Sequence, residues 1–134
     1  MIPVAQQVEA LQTHLTQLEP PATVQGRALP SGAYLIKIEN YALPPGWNRS
    51  HATILFIAPP GFPGAQPDCF WVVPLGLRLA NGTPPQSSND ANPIPEVPEE
   101  QGTWFSWHVE TWHPNRDSLI TYYNVVRQRL EPAR

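Results

Sequence analysis

The sequence predicts an α+β fold: an N-terminal helix, a four-stranded antiparallel meander, a long crossover loop and a C-terminal helix. Three observations carry this. An apolar stripe at helical spacing opens the chain, a second one closes it, and between them lie short β-branched and aromatic runs parted by proline-rich turns. The 134 residues fit one domain, 1–134, with one core.

Val4, Val8, Leu11, Leu15 and Leu18 fall on one face of a helix that Pro20-Pro21 ends. Gln6, Gln7, Glu9 and Gln12 should face outward from it. A first strand is expected around Thr23 to Ala28. Tyr34-Leu35-Ile36-Lys37-Ile38 is β-branched and aromatic, as strands prefer. The turn Leu43-Pro44-Pro45-Gly46 leads to Ala52-Thr53-Ile54-Leu55-Phe56-Ile57-Ala58, apolar on both faces and therefore a central strand. Pro59-Pro60-Gly61-Phe62-Pro63 breaks it, and Cys69-Phe70-Trp71-Val72-Val73 is the last strand of the meander. From Pro74 to Thr103 the chain is rich in Pro, Asn, Ser and Gly, the composition of a long irregular crossing. Asp117 is placed to cap a final helix carrying Leu119, Tyr122, Tyr123, Val126 and Leu130.

Composition narrows the function classes. The eighteen prolines fall between apolar runs and form no repeat, so they mark rigid turns. A formal net charge of −3 gives no electrostatic case for nucleic acid. No apolar run is long enough to span a bilayer, and the N-terminal segment lacks the basic start and apolar stretch of a signal peptide. Cys69 stands alone and cannot close an internal disulfide, which fits a reducing cytoplasm. His14, His51, His108 and His113 show no ligand-pair spacing, so neither a metal nor a cofactor is expected.

Two stretches then stand out. Phe62-Pro63-Gly64-Ala65-Gln66-Pro67-Asp68-Cys69-Phe70 sets a proline turn before an aromatic strand, and Trp112-His113-Pro114 precedes the last helix. From Val4 to Leu130 the order of elements resembles the ubiquitin-conjugating enzyme family. Phe62 takes the place of that family's turn tyrosine, and Trp112-His113-Pro114 that of its tryptophan-serine-proline motif. More closely, Leu43-Pro44-Pro45-Gly46, Pro67-Asp68 and Ser106-Trp107-His108 resemble elements of a divergent bacterial branch, the prokaryotic conjugating-enzyme family E. His113-Pro114-Asn115 has the letters of the family's histidine-proline-asparagine motif. It lies after the expected catalytic position, where that motif lies before it. The family's oxyanion-stabilising asparagine thus has no clear counterpart, with Asn89 and Asn92 as substitutes.

A conjugating enzyme holds the C-terminus of a ubiquitin-like protein as an activated ester, which needs a nucleophile. Cys69 lies on the aromatic strand, where a free cysteine is usually a small buried hydrophobe. By the resemblance, the nucleophile precedes Trp112 by a short segment, and Ser106 is the best hydroxyl between Thr103 and Trp107. A serine would form an oxyester and needs a base. In an extended stretch Ser106, His108 and Glu110 share a face, in the order nucleophile, base, orienter. Ser-x-His is also a common tripeptide, and a histidine beside tryptophans often only makes a hydrogen bond. Trp104, Phe105, Trp107 and Trp112 are expected mostly in the core beneath the final helix.

The resemblance implies an acyltransferase. It would take a bacterial ubiquitin-like protein from an adenylating activating enzyme, met through the outer side of the N-terminal helix, and pass it to a target lysine. The alternative is a catalytically inactive scaffold that binds the ubiquitin-like protein; an unrelated hydrolase using Ser106 and His108 is a third reading. Seven arginines against the one lysine, Lys37, follow from base composition, and would equally spare such an enzyme from modifying itself.

Overall fold

A computed structural model of the chain describes residues 3–18 and 20–134. In chain order the elements are α1 (Val4–Thr16), β1 (Thr23–Ala28), β2 (Tyr34–Ala42), β3 (His51–Ala58), β4 (Phe70–Val73), β5 (Ser88–Asn89), β6 (Thr103–Phe105) and α2 (Leu119–Leu130). The strands form one antiparallel sheet in the order β1-β2-β3-β4-β6-β5. The α+β class is as expected, but the sheet is wider than four strands. Of the two extra strands, β5 comes from the Pro74–Thr103 segment read as a crossing, and β6 begins at its last residue. β5 is two residues long with no apolar alternation, so its pairing with β6 comes from tertiary placement.

Period-two alternation puts the two faces of the sheet in different surroundings. Ile36, Ile38, Ile54, Phe56, Phe70, Val72 and Phe105 meet Leu11 and Leu15 of α1 and Tyr122, Val126 and Leu130 of α2. On the other face Leu35, Leu55 and Trp71 are covered by Ile94 and Val97, so the crossing forms a third layer. This explains why β3 is apolar on both faces: Ile54, Leu55 and Phe56 are each fully buried.

The crossing is anchored at both ends. Thr103, fully buried, accepts hydrogen bonds at Oγ1 from the backbone N–H groups of Gly76 (3.1 Å) and Leu77 (3.0 Å). Its hydroxyl donates to Asp90 Oδ1 at 2.7 Å, and Asp90 is also ion-paired with Arg78. Lys37–Glu100 (2.9 Å) and Arg27–Glu99 (2.7 Å) tie the later part of the segment to β2 and β1. Gly102 lies where a Cβ would come within 2.9 Å of the Val72 carbonyl, so only glycine allows this approach into β6.

Two details correct the sequence reading. Gln7 and Gln12 do not face outward. Gln7 is 5 % exposed, and its Oε1 accepts from the Leu119 N–H at 3.0 Å, satisfying a free donor at the start of α2. Gln12 accepts from the Val24 N–H (2.8 Å) and donates to the Ala22 carbonyl (3.2 Å). The N-cap of α2 is Ser118, one residue later than expected; Asp117 instead accepts from the His113 N–H at 2.7 Å. Among the described residues, no helix is long and apolar enough to cross a membrane.

Candidate functional site

The segment that carries Ser106, His108 and Glu110 leaves the sheet at the end of β6. Within the ladder Phe70, Trp71 and Val72 face Phe105, Trp104 and Thr103, and the rings of Phe70 and Phe105 stack at 4.9 Å. Beyond Phe105 the ladder ends, yet the chain stays held. The Ser106 N–H donates to the Ser87 carbonyl at 3.2 Å. The Gln66 side-chain amide pairs with Val109 in both directions, donating to its carbonyl (2.7 Å) and accepting from its N–H (3.0 Å). The Trp112 indole N–H donates to the Pro63 carbonyl at 2.7 Å. A side-chain amide thus does what a strand peptide would do, and the Phe62–Asp68 turn lies antiparallel to the Ser106–Trp112 stretch.

Burial along this stretch alternates. Ser106, His108 and Glu110 are exposed, while Trp107 and Val109 are half-buried and pack on the helix-side core. That is the two-residue period of an extended chain. No hydrogen bond among the described residues joins Ser106 to His108, or His108 to Glu110. Instead the His108 ring brings Nδ1 to 3.3 Å from the Asp68 carbonyl. A carbonyl oxygen only accepts, so in this contact Nδ1 carries the proton. The neutral ring then offers Nε2 as an acceptor, the form a general base requires.

Cys69 lies next to Asp68, half-buried, packed on the outer-face cluster with Trp104 beside it. Burial raises its thiol pKa; a hydrogen bond from Trp104 opposes this and the nearby Asp68 carboxylate adds to it. The net direction favours the thiol, the reverse of what a nucleophilic cysteine needs. An apolar cleft of about 230 Å³ borders Cys69 and runs between Pro67, Trp71 and Pro95. A larger cavity of about 570 Å³ lies elsewhere, among Arg27, Lys37, Glu99 and Glu100, and is walled by two ion pairs.

Asn89 is on β5, on the side of β6 away from β4, whereas Asn92 lies against Trp71 of β4. The Asn89 side chain accepts from the Ala91 N–H (2.9 Å), and the Asn92 carbonyl accepts from the Trp71 indole (2.9 Å), so both have local structural roles. His113 is exposed just ahead of α2. The aromatic residues divide. Phe105 is fully buried, Trp107 and Trp112 lie on the helix-side core, and Trp104 joins the opposite face. Among the described residues no group of His, Cys, Asp and Glu is arranged to hold a metal ion.

Three residues that the sequence reading missed shape this site: Gln66, Tyr122 as a polar group, and Arg129. The Tyr122 hydroxyl donates to the Trp107 carbonyl at 2.8 Å. The Arg129 guanidinium lies 4.8 Å from the Phe105 ring centroid and 5.5 Å from that of Trp107. A signal for Arg129 exists in the sequence, since it follows Val126 at helical spacing and so falls on the buried stripe. Gln66 has none.

Against known proteins, a family model described as prokaryotic E2 family E matches residues 23–133. None of the curated proteins and none of the solved structures matches the chain.

Proposed function

The chain belongs to the prokaryotic E2 family E, and on that basis we propose that residues 1–134 act as one conjugating-enzyme domain whose acyl carrier is Ser106. Its donor is a bacterial ubiquitin-like protein held as a thioester on an activating enzyme, and its acceptor is a lysine of a target protein. The exposed side of α1, with Gln6 and Glu9, is the surface offered to the activating enzyme. The observation that carries this reading is that Ser106 and His108 are both exposed two residues apart on one stretch, with the His108 Nδ1 contact to the Asp68 carbonyl leaving Nε2 as the basic nitrogen. In this role the Asp68 carbonyl does what Glu110 was expected to do.

The chemistry has two halves. Ser106 Oγ bonds to the thioester carbonyl carbon while His108 takes its proton, either directly or through one water. The carbon–sulfur bond then breaks, and the departing sulfur takes that proton as a thiol. In the second half the lysine amine bonds to the ester carbon and gives a proton to His108. The carbon–oxygen bond breaks and Ser106 recovers its hydrogen. The cleft beside Cys69 is an apolar groove suited to the extended tail that precedes the acyl carbon.

A second reading has its own support: among the described residues the Ser106 hydroxyl has no hydrogen bond to a base, as in a scaffold that binds the ubiquitin-like protein without carrying it. Incubation with the cognate activating enzyme, the ubiquitin-like protein and ATP separates the two. The carrier reading expects an adduct on Ser106 that resists reducing thiols and yields to hydroxide. Ser106→Ala abolishes the adduct and the conjugates, and Ser106→Cys traps a thiol-sensitive thioester. His108→Ala slows ester formation by about 10²-fold or more, and thioester formation on the cysteine variant by less. Normal conjugation by Ser106→Ala would overturn the serine mechanism.

A further inference from the structure

Arg129 is the least accessible charged group described, with 1 % of its surface exposed. Its Nη2 donates to the Gln86 carbonyl at 2.5 Å and to the main-chain oxygen of Arg134, the last residue, at 2.9 Å. Its Nη1 is buried and, among the described residues, has no hydrogen-bond partner. Burial, with a smaller contribution from Arg134, pushes its pKa down to about 10, so the group is still a cation at neutral pH. Among the described residues no Asp or Glu is ion-paired with this buried guanidinium; burying such a charge is costly, and an apolar residue of similar volume is often the more stable choice. Packing alone therefore does not explain an arginine here.

Its contacts surround one residue. The guanidinium lies against Phe105 and Trp107, the two neighbours of Ser106 in sequence. Arg134 adds a second guanidinium 5.7 Å from the Trp107 ring. Gln86, which receives the Nη2 hydrogen bond, immediately precedes Ser87, whose carbonyl accepts the Ser106 N–H. One planar cation on α2 thus touches both rings that flank the hydroxyl and the Gln86-Ser87 segment that holds its backbone. Arginine suits this because its flat face stacks on the rings while its edge forms directed hydrogen bonds; the ammonium of lysine is a point charge and does neither well.

We propose that Arg129 is a positioning residue for acyl transfer, acting through Phe105, Trp107 and Gln86 to set the backbone and thereby the hydroxyl of Ser106. This rests on Ser106 being the acyl carrier. A small displacement of a nucleophile lowers the rate on the order of tenfold to a hundredfold.

The test compares Arg129→Met, which keeps a long apolar stem, with Arg129→Lys, which keeps the charge if the methionine variant fails to fold. Two quantities are read on each folded protein: amide hydrogen exchange at Ser106, and the rate of ester formation at saturating thioester donor. The expected result is faster exchange at Ser106, with ester formation slowed at least about tenfold and KM for the donor little changed. Arg129→Lys should recover part of both. The cysteine carrier Ser106→Cys should be less sensitive to Arg129→Lys than the native serine is. A folded variant that forms ester at the native rate, beside an inactive Ser106→Ala, overturns the positioning role alone. If Ser106→Ala also conjugates normally, the serine mechanism fails and the positioning role falls with it.

Discussion

A thiol that is to attack a thioester must ionise near neutral pH, and Cys69 is biased the other way. It lies on the outer face of the sheet, in a cleft with Ile57 and Trp71 and with Trp104 beside it, and burial raises its pKa above an ordinary thiol's. Alkylation of Cys69 in the folded protein should therefore need a higher pH than alkylation of a free thiol, and unfolding should remove the difference. Cys69→Ser should cost about 1 kcal/mol of stability, since it puts a hydroxyl in a partly apolar site. Conjugation should remain largely intact. Denaturant unfolding and a conjugation assay check both halves, and complete loss of activity in a folded Cys69→Ser would move the site to the sulfur.

The pieces of chain that hold the candidate site are not all regular elements. β6 stops at Phe105, and from there to Val109 the backbone runs on beside the Phe62–Asp68 turn, with Gln66 paired to Val109 at both its N–H and its carbonyl, before bending at Glu110 and Thr111. Gln66→Leu keeps the approximate volume and removes both hydrogen bonds. Leaving partly buried backbone groups unpaired should cost about 1–3 kcal/mol. It should also loosen the stretch that carries His108, so amide exchange at Val109 should rise along with a fall in the rate of ester formation. Gln66→Glu restores only the acceptor toward the Val109 N–H and faces a carbonyl with its other oxygen, so it should rescue little. If Gln66→Leu leaves Val109 as protected as in the native chain, the side-chain amide is not what holds this segment. Gln7 plays a related part between the helices, since its amide accepts the first N–H of α2.

Across the molecule, the sheet is closed in between the helices and the crossing, and the crossing is held by unequal electrostatic ties. Arg27–Glu99 is about half exposed and contributes little. Lys37–Glu100 is more sheltered and also occupies the one lysine of the chain, leaving its amine less free to accept an acyl group. Asp90 is the group most tied into structure. Its pKa is held below the ordinary 3.8, first by the hydrogen bond from Arg78, with help from Thr103 and the nearby Arg78 charge. A depressed folded-state pKa means that the carboxylate stabilises the fold fully above pH 3.8. That contribution is lost as the pH falls below 3.8 and through the lower, folded value. Asp90→Asn should therefore be less stable than the native chain at neutral pH, and the gap should narrow steadily below about pH 4. Thermal unfolding of both proteins from pH 7 to pH 2 measures it, and a constant gap would assign the network no role in acid stability.

Local patterning is enough for much of this fold. The stripe from Val4 to Leu15 marks α1, the final helix can be read nearly to the residue, and the runs at Tyr34, Ala52 and Phe70 are strands because β-branched and aromatic residues lie between proline turns. Each of these signals spans a few neighbouring residues, and the physics behind it is equally local. The candidate site is legible only as a list of chemical types: a hydroxyl, an imidazole and a carboxylate two residues apart. Their partners come from far along the chain. The Asp68 carbonyl that orients His108, the Gln66 amide at Val109 and the Arg129 cation under Phe105 and Trp107 meet this stretch only after β4, β6 and α2 have packed. The same holds for Gln7, whose polar side chain is buried because another helix begins there, and for β5, which is a strand because β6 lies beside it. Periodicity reports which way a side chain leans from its own backbone. Which distant group it then meets is set by sheet register and helix docking.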